Sequence, residues 1–91
     1  MVSVLPLLAE FLGIFLLVLS VLASGGNAFV VGGTLTLIIL LIGNLSGANV
    51  NPAISLAMFL RGSLSMNEMF SYIVVQALAG AGAFYAWSAF A

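Results

Sequence analysis

Ser46-Gly47-Ala48-Asn49-Val50-Asn51-Pro52-Ala53 is a polar, glycine-containing stretch set inside an almost uninterrupted apolar chain. Its reading decides the fold. The run that follows, from Pro52 to Leu60, reads as a helix of nine residues, roughly 14 Å long at 1.5 Å per residue. That reaches only about half-way through a hydrocarbon core of about 30 Å. Backbone that leaves helical geometry at membrane depth is tolerated only where protein buries it or where it lines a water-filled cavity. A re-entrant loop followed by a half-helix is therefore expected, and a pore is the function it suggests.

The surrounding composition requires a membrane. Hydrophobic residues make up 65% of the 91-residue chain, charged residues 3%, and the mean hydropathy is +1.41. A soluble domain of this size could not hide so much apolar surface. The net charge of −1 leaves no basic face for nucleic acid or anionic headgroups. The absence of cysteine and histidine excludes disulfides, thiol chemistry and histidine metal sites. No secretory signal peptide is expected. A basic leading region is lacking, and the apolar run from Val4 to Leu22 exceeds a typical signal core.

Outward from the motif, three full spans are expected. They cover residues 4–22, with Pro6 tolerated in the first turn, residues 28–43, and residues 69–89. Ser24-Gly25-Gly26-Asn27 reads as a turn between the first two. The re-entrant loop and half-helix occupy 44–61. Arg61-Gly62-Ser63 closes the half-helix, and Ser65-Met66-Asn67-Glu68 reads as a connection to the last span. The expected fold is thus an all-α membrane protein with three transmembrane helices plus one re-entrant half-helix.

Asn51-Pro52 suits a helix start. Asparagine caps well, and proline at the first helical position loses only an N–H that has no partner there anyway. The half-helix then points its positive dipole end into the membrane interior, and carbonyls of residues 46 to 50 would line the approach. Donor, acceptors and dipole together make a path for a hydrogen-bonding solute that disfavours cations. The local sequence is equally that of a plain Asn-Pro turn between two membrane helices. On the last span, Gln76, Gly80, Ala83 and Trp87 share one face. With Ala79 and Gly82 they form a small-residue surface suited to close helix packing.

The chain resembles the N-terminal half of an aquaporin or aquaglyceroporin, the major intrinsic protein family. The motif loop is similar to that family's first Asn-Pro-Ala loop. Ala9-Glu10-Phe11-Leu12-Gly13 resembles its first-helix signature, Leu60-Arg61-Gly62 the end of its half-helix, and Val75-Gln76-Ala77 its third helix. All four occur in order across nearly the whole chain. The resemblance implies that Asn51, Pro52 and Ala53 form the pore tip, with Gly47, Ala48 and Asn49 leading to it. It also implies that Glu10 accepts hydrogen bonds from the loop and that Gln76 braces it. Snorkelling of Glu10 to the interface and an ordinary interhelical bond from Gln76 are the alternatives. Gly13, Gly80 and Ala83 are assigned to helix packing.

Departures from the family pattern also have implications. Position 49, usually histidine in the family, is asparagine. The second-helix filter position, usually aromatic, falls on Val31, which would widen the constriction. The family's filter arginine follows a second Asn-Pro-Ala that is not present, and Arg61 lies too far along the half-helix to replace it. One half cannot enclose a pore. The partner half is expected to be this chain's own continuation, a separate chain, or an antiparallel copy; the end at Ala91 within apolar sequence favours the first, and an antiparallel copy would leave both halves without the filter arginine.

The family resemblance implies an oligomer, and Arg61 places the N-terminus and residues 61–68 in the cytoplasm, at a cell or inner membrane. A holin-like pore former and a non-conducting membrane subunit are the alternative functions. Catalysis is not expected, because Glu10 and Glu68 are the only carboxylates and nothing pairs with them as base, nucleophile or metal ligand. No cofactor is implied.

Overall fold

In the computed structural model, which describes residues 2–91, four helices run in the order α1 (Val4–Ser24), α2 (Ala28–Ser46), α3 (Pro52–Leu60) and α4 (Met66–Phe90). No strand occurs among the described residues. Three of these helices are long and apolar enough to cross a bilayer, with mean hydropathies of 2.5 for α1, 2.2 for α2 and 1.4 for α4 over their most apolar windows. The fourth is the nine-residue half-helix. The 21 residues of α1 span roughly 31 Å at 1.5 Å per residue, about the thickness of the hydrocarbon core.

Each boundary has a local cause. α1 stops at Gly25, whose left-handed φ of 65° lets its N–H return to the Val21 carbonyl. Asn27 then starts α2, its side-chain oxygen accepting from Phe29 N and Val30 N at 3.0 and 3.1 Å. α2 continues three residues past the expected end at 43. Gly43 lies inside the helix, and the terminator is Gly47, at φ 87° with its N–H on the Gly43 carbonyl. α3 opens on Asn51 and Pro52 and closes through Arg61 and the left-handed Gly62. α4 begins at Met66, three residues before the expected start at 69. Ser65 and Glu68 are not loop but a reciprocal capping box, with Glu68 N on Ser65 Oγ at 3.1 Å and Ser65 N on Glu68 Oε1 at 2.9 Å.

α1 packs against both α2 and α4, and α3 packs against α4. The small core joins Ile14, Ile38, Val50 and Ala79, with Phe11, Phe15, Leu17, Val18, Leu35 and Ile42 closing around it. The buried stripe of α4 is Met69, Tyr72, Gln76, Ala79 and Ala83. Ala79 and Ala83 are fully buried, while Gly80 lies at the margin, where an added methyl would meet Val18 only at 4.0 Å. Gly13 is different: a methyl there would sit 2.7 Å from Val50 Cγ1, 3.0 Å from Ile42 Cδ1 and 3.2 Å from Ile38 Cγ2. Its missing side chain is what lets the loop after α2 reach the wall of α1. Large apolar side chains such as Leu5, Leu12, Leu40, Phe70 and Leu78 face outward, as a bilayer-solvated surface requires.

Candidate functional site

Five residues, 47–51, connect α2 to α3, and they do so in an unfavourable backbone. Ala48 and Val50 have left-handed φ values of 49° and 40°. Such conformations cost on the order of 1–3 kcal/mol each for non-glycine residues, and a β-branched residue there is a genuine outlier. They persist only where the surroundings over-determine them.

Glu10 supplies that determination. It sits in the seventh position of α1 and has no solvent exposure. Its carboxylate accepts from Val50 N at 2.8 Å, Asn49 N at 3.1 Å, Ser46 Oγ at 2.6 Å and Gln76 Nε2 at 2.9 Å. Ser46 Oγ in turn accepts from Ala48 N at 3.1 Å. The amides of three consecutive loop residues, 48 to 50, are thus held by one carboxylate and the hydroxyl bonded to it. Placing a carboxylate at a helix centre in lipid costs about 2.5–3.5 kcal/mol. Each hydrogen bond to a charged group returns roughly 1.5–3 kcal/mol, so the set outweighs insertion and leaves a surplus against the loop strain. Glu10 is turned inward, not snorkelled.

Gln76 reaches the same carboxylate from α4 and also donates to Ser55 Oγ at 3.0 Å. With its Nε2 protons committed to these acceptors, the amide oxygen is left buried with no partner among the described residues. Asn49, assigned to the pore-side residues from sequence, is buried, and its Nδ2 donates to Ser55 Oγ at 3.0 Å. The structure therefore groups it with the residues that hold the loop. Tyr72 O–H donates to the Ser46 carbonyl at 2.9 Å, so that carbonyl is not one of the free acceptors. The carbonyls of residues 47 to 50 receive no hydrogen bond among the described residues.

The tip itself is exposed. Asn51 Oδ1 accepts from Ala53 N at 2.8 Å, and its Nδ2 donates to no group among the described residues. Pro52, Ala53 and Gly47 are also exposed, whereas Ala48 is buried. Val31 is half-buried at the far end of α2, about 22 Å along the axis from Ser46. Arg61 stands beyond α3, donating to Ser63 Oγ. Sequence reasoning missed Ser46, Ser55 and Tyr72 as holders of the loop. Tyr72 precedes Gln76 by one helical turn, so a same-face polar pair was the available signal for it. Among the described residues no cluster could hold a metal ion.

Fold and site together define an integral membrane protein of three spans with a re-entrant half-helix pinned from inside by a buried carboxylate. The family model described as Major intrinsic protein matches residues 23–89, and the chain belongs to that family. It is 36% identical over 93 residues to the Lens fiber major intrinsic protein of Gallus gallus, a match covering 87% of this chain and 36% of that protein. It is 44% identical over 85 residues to Aquaporin-10 of Homo sapiens, covering 78% and 28% respectively. Against Aquaglyceroporin AqpS of Rhizobium meliloti (strain 1021) it is 35% identical over 88 residues, covering 80% and 37%. The chain spans about a third of the length of these curated relatives. No solved structure matches it significantly.

Proposed function

We propose that the chain forms one half of a passive transmembrane channel for water or a small neutral solute such as glycerol, with Asn51-Pro52-Ala53 at its narrow point. One observation carries this reading: the start of the half-helix is held from within by Glu10 while Asn51 presents an uncommitted amide to the outside of this half. A free donor beside a positive helix end, approached past unpaired carbonyls, orients a hydrogen-bonding solute and repels cations. The names of the relatives, an aquaporin and an aquaglyceroporin among them, support water and glycerol as the solutes to test. Val31 in place of a flat aromatic wall would favour the larger solute.

A second half is needed to face the tip, whether the chain's own continuation, a separate chain or an antiparallel copy. Complete pores would then assemble as oligomers, with the N-terminus in the cytoplasm. Stopped-flow light scattering on proteoliposomes tests the reading, using the chain alone and the chain fused ahead of the second half of the human relative. Fast water or glycerol flux that Asn51→Asp abolishes, in either form, is the expected result. Flux equal to empty liposomes from both inserted proteins, or leakage of large solutes, would overturn it.

A further inference from the structure

Glu10 ties the loop to α1, while α3 packs only against α4. One side chain joins these two attachments. Ser55, fully buried on the second turn of α3, accepts from Asn49 Nδ2 and from Gln76 Nε2, each at 3.0 Å. Gln76 continues to Glu10, and Glu10 returns to the loop. The result is a closed ring of four side chains from four different segments: loop, α3, α4 and α1.

The Asn49–Ser55 link spans the chain reversal at Asn51-Pro52. The other bonds across that turn are to Asn51 itself, whose side-chain oxygen accepts from Ala53 N and whose carbonyl accepts from Ser55 N. Those two fix Asn51 relative to α3 and say nothing of where α3 stands relative to the bundle. The Asn49–Ser55–Gln76 chain adds a polar link from the loop through α3 to α4, beside the packing of α3 on α4.

We propose that Ser55 and Asn49 are positioning residues that lock the start of α3 to the bundle and thereby aim the Asn51 amide. The role in conduction rests on the channel reading above; the lock itself does not. A serine here accepts two amide protons at once, and an alanine would leave two buried donors without partners. Threonine keeps the acceptor. Asn49 is the loop's contribution, and its loss leaves the Ser55–Gln76 bond intact.

The test is residue-resolved hydrogen exchange on the full chain in lipid nanodiscs, for Ser55→Ala, Asn49→Ala, the double variant and Ser55→Thr. The amides of Ala53 and Ser55 should exchange about tenfold faster in each alanine variant. Amides in the middle of α1 should be unchanged, the double variant should be no worse than Ser55→Ala, and Ser55→Thr should restore protection. Should Ser55→Ala fail to insert, Asn49→Ala alone decides by the same criterion. Exchange at Ala53 and Ser55 within about twofold of the parent, or effects that multiply in the double variant, would overturn the lock. In the fused channel, Asn49→Ala should change the ratio of water to glycerol flux at equal insertion. An inactive parent with the exchange pattern intact would sink the channel reading and leave the lock standing.

Discussion

At Glu10, every donor aimed at the carboxylate is matched to an acceptor-only group. Glu10→Gln places an amide NH2 where an oxygen accepted, facing either the Val50 and Gln76 donors or those of Ser46 and Asn49. Two hydrogen bonds are lost and their donors stay buried, so the variant should lose on the order of 2–4 kcal/mol. A fall in the midpoint of denaturant unfolding in detergent would show it, whereas an unchanged midpoint would mean the four bonds are not made in the membrane. Gly13→Ala should be costly for a steric reason, because its methyl would sit 2.7 Å from Val50 Cγ1. Overpacking of this kind costs about 1–3 kcal/mol. Gly80→Ala, with its nearest neighbour at 4.0 Å, should be tolerated, and the contrast between the two in the same unfolding assay is the check. Glu10 and Gln76 were expected to hold the loop because the resemblance named them, whereas Ser55 had no such signal. Ser20, Ser24, Thr34 and Thr36 all return their hydroxyl to a carbonyl of their own helix. That is the ordinary fate of a helical hydroxyl, and nothing in the order of residues separates Ser55 from those four.

Among the elements, the starts of α2 and α3 lie where the sequence puts them, whereas the end of α2 and the start of α4 do not. Asn51-Pro52 announced α3 to the residue. Gly43 reads in the sequence as the end of α2, yet a glycine ends a helix this way where the chain adopts a left-handed turn, and Gly47 is the one that does. At α4 the Ser-x-x-Glu spacing of residues 65–68, which reads as a connection beside the apolar run, is the helix start itself. The capping box there satisfies two orphan donors at an exposed helix start. Ser65→Ala should therefore cost about 1 kcal/mol and speed amide exchange at Glu68 and Met69, the first-turn positions. The effect should fade by Tyr72, one turn further on. Exchange unchanged at Glu68 would mean the first turn of α4 is held by something other than its cap.

For the whole molecule, the number of spans predicts which ends lie together. With α1, α2 and α4 as the candidate spans, alternation predicts that α1 and α4 start on one face of the membrane and α2 on the other, with α3 returning to the face it entered from, so that Ser3 and Ser63 share a side opposite Ala28. Which side is cytoplasmic depends on one cation, Arg61, with Glu68 seven residues along. Positive residues in short loops set orientation and acidic ones contribute little, so Arg61 retained in the cytoplasm is the expected outcome. The chain has no cysteine, which makes the question direct. Ser3→Cys, Ser63→Cys and Ala28→Cys, introduced singly, can each be challenged in intact cells with a membrane-impermeant maleimide. Ala28→Cys should be labelled, while Ser3→Cys and Ser63→Cys should react only after the membrane is opened. About half-labelling at all three positions would mean that a single charge is too weak a bias and that the chain inserts both ways. An antiparallel copy would then be available to face the Asn51 tip. Uniform orientation removes that partner and leaves a second half of different sequence, carried on the same chain or another.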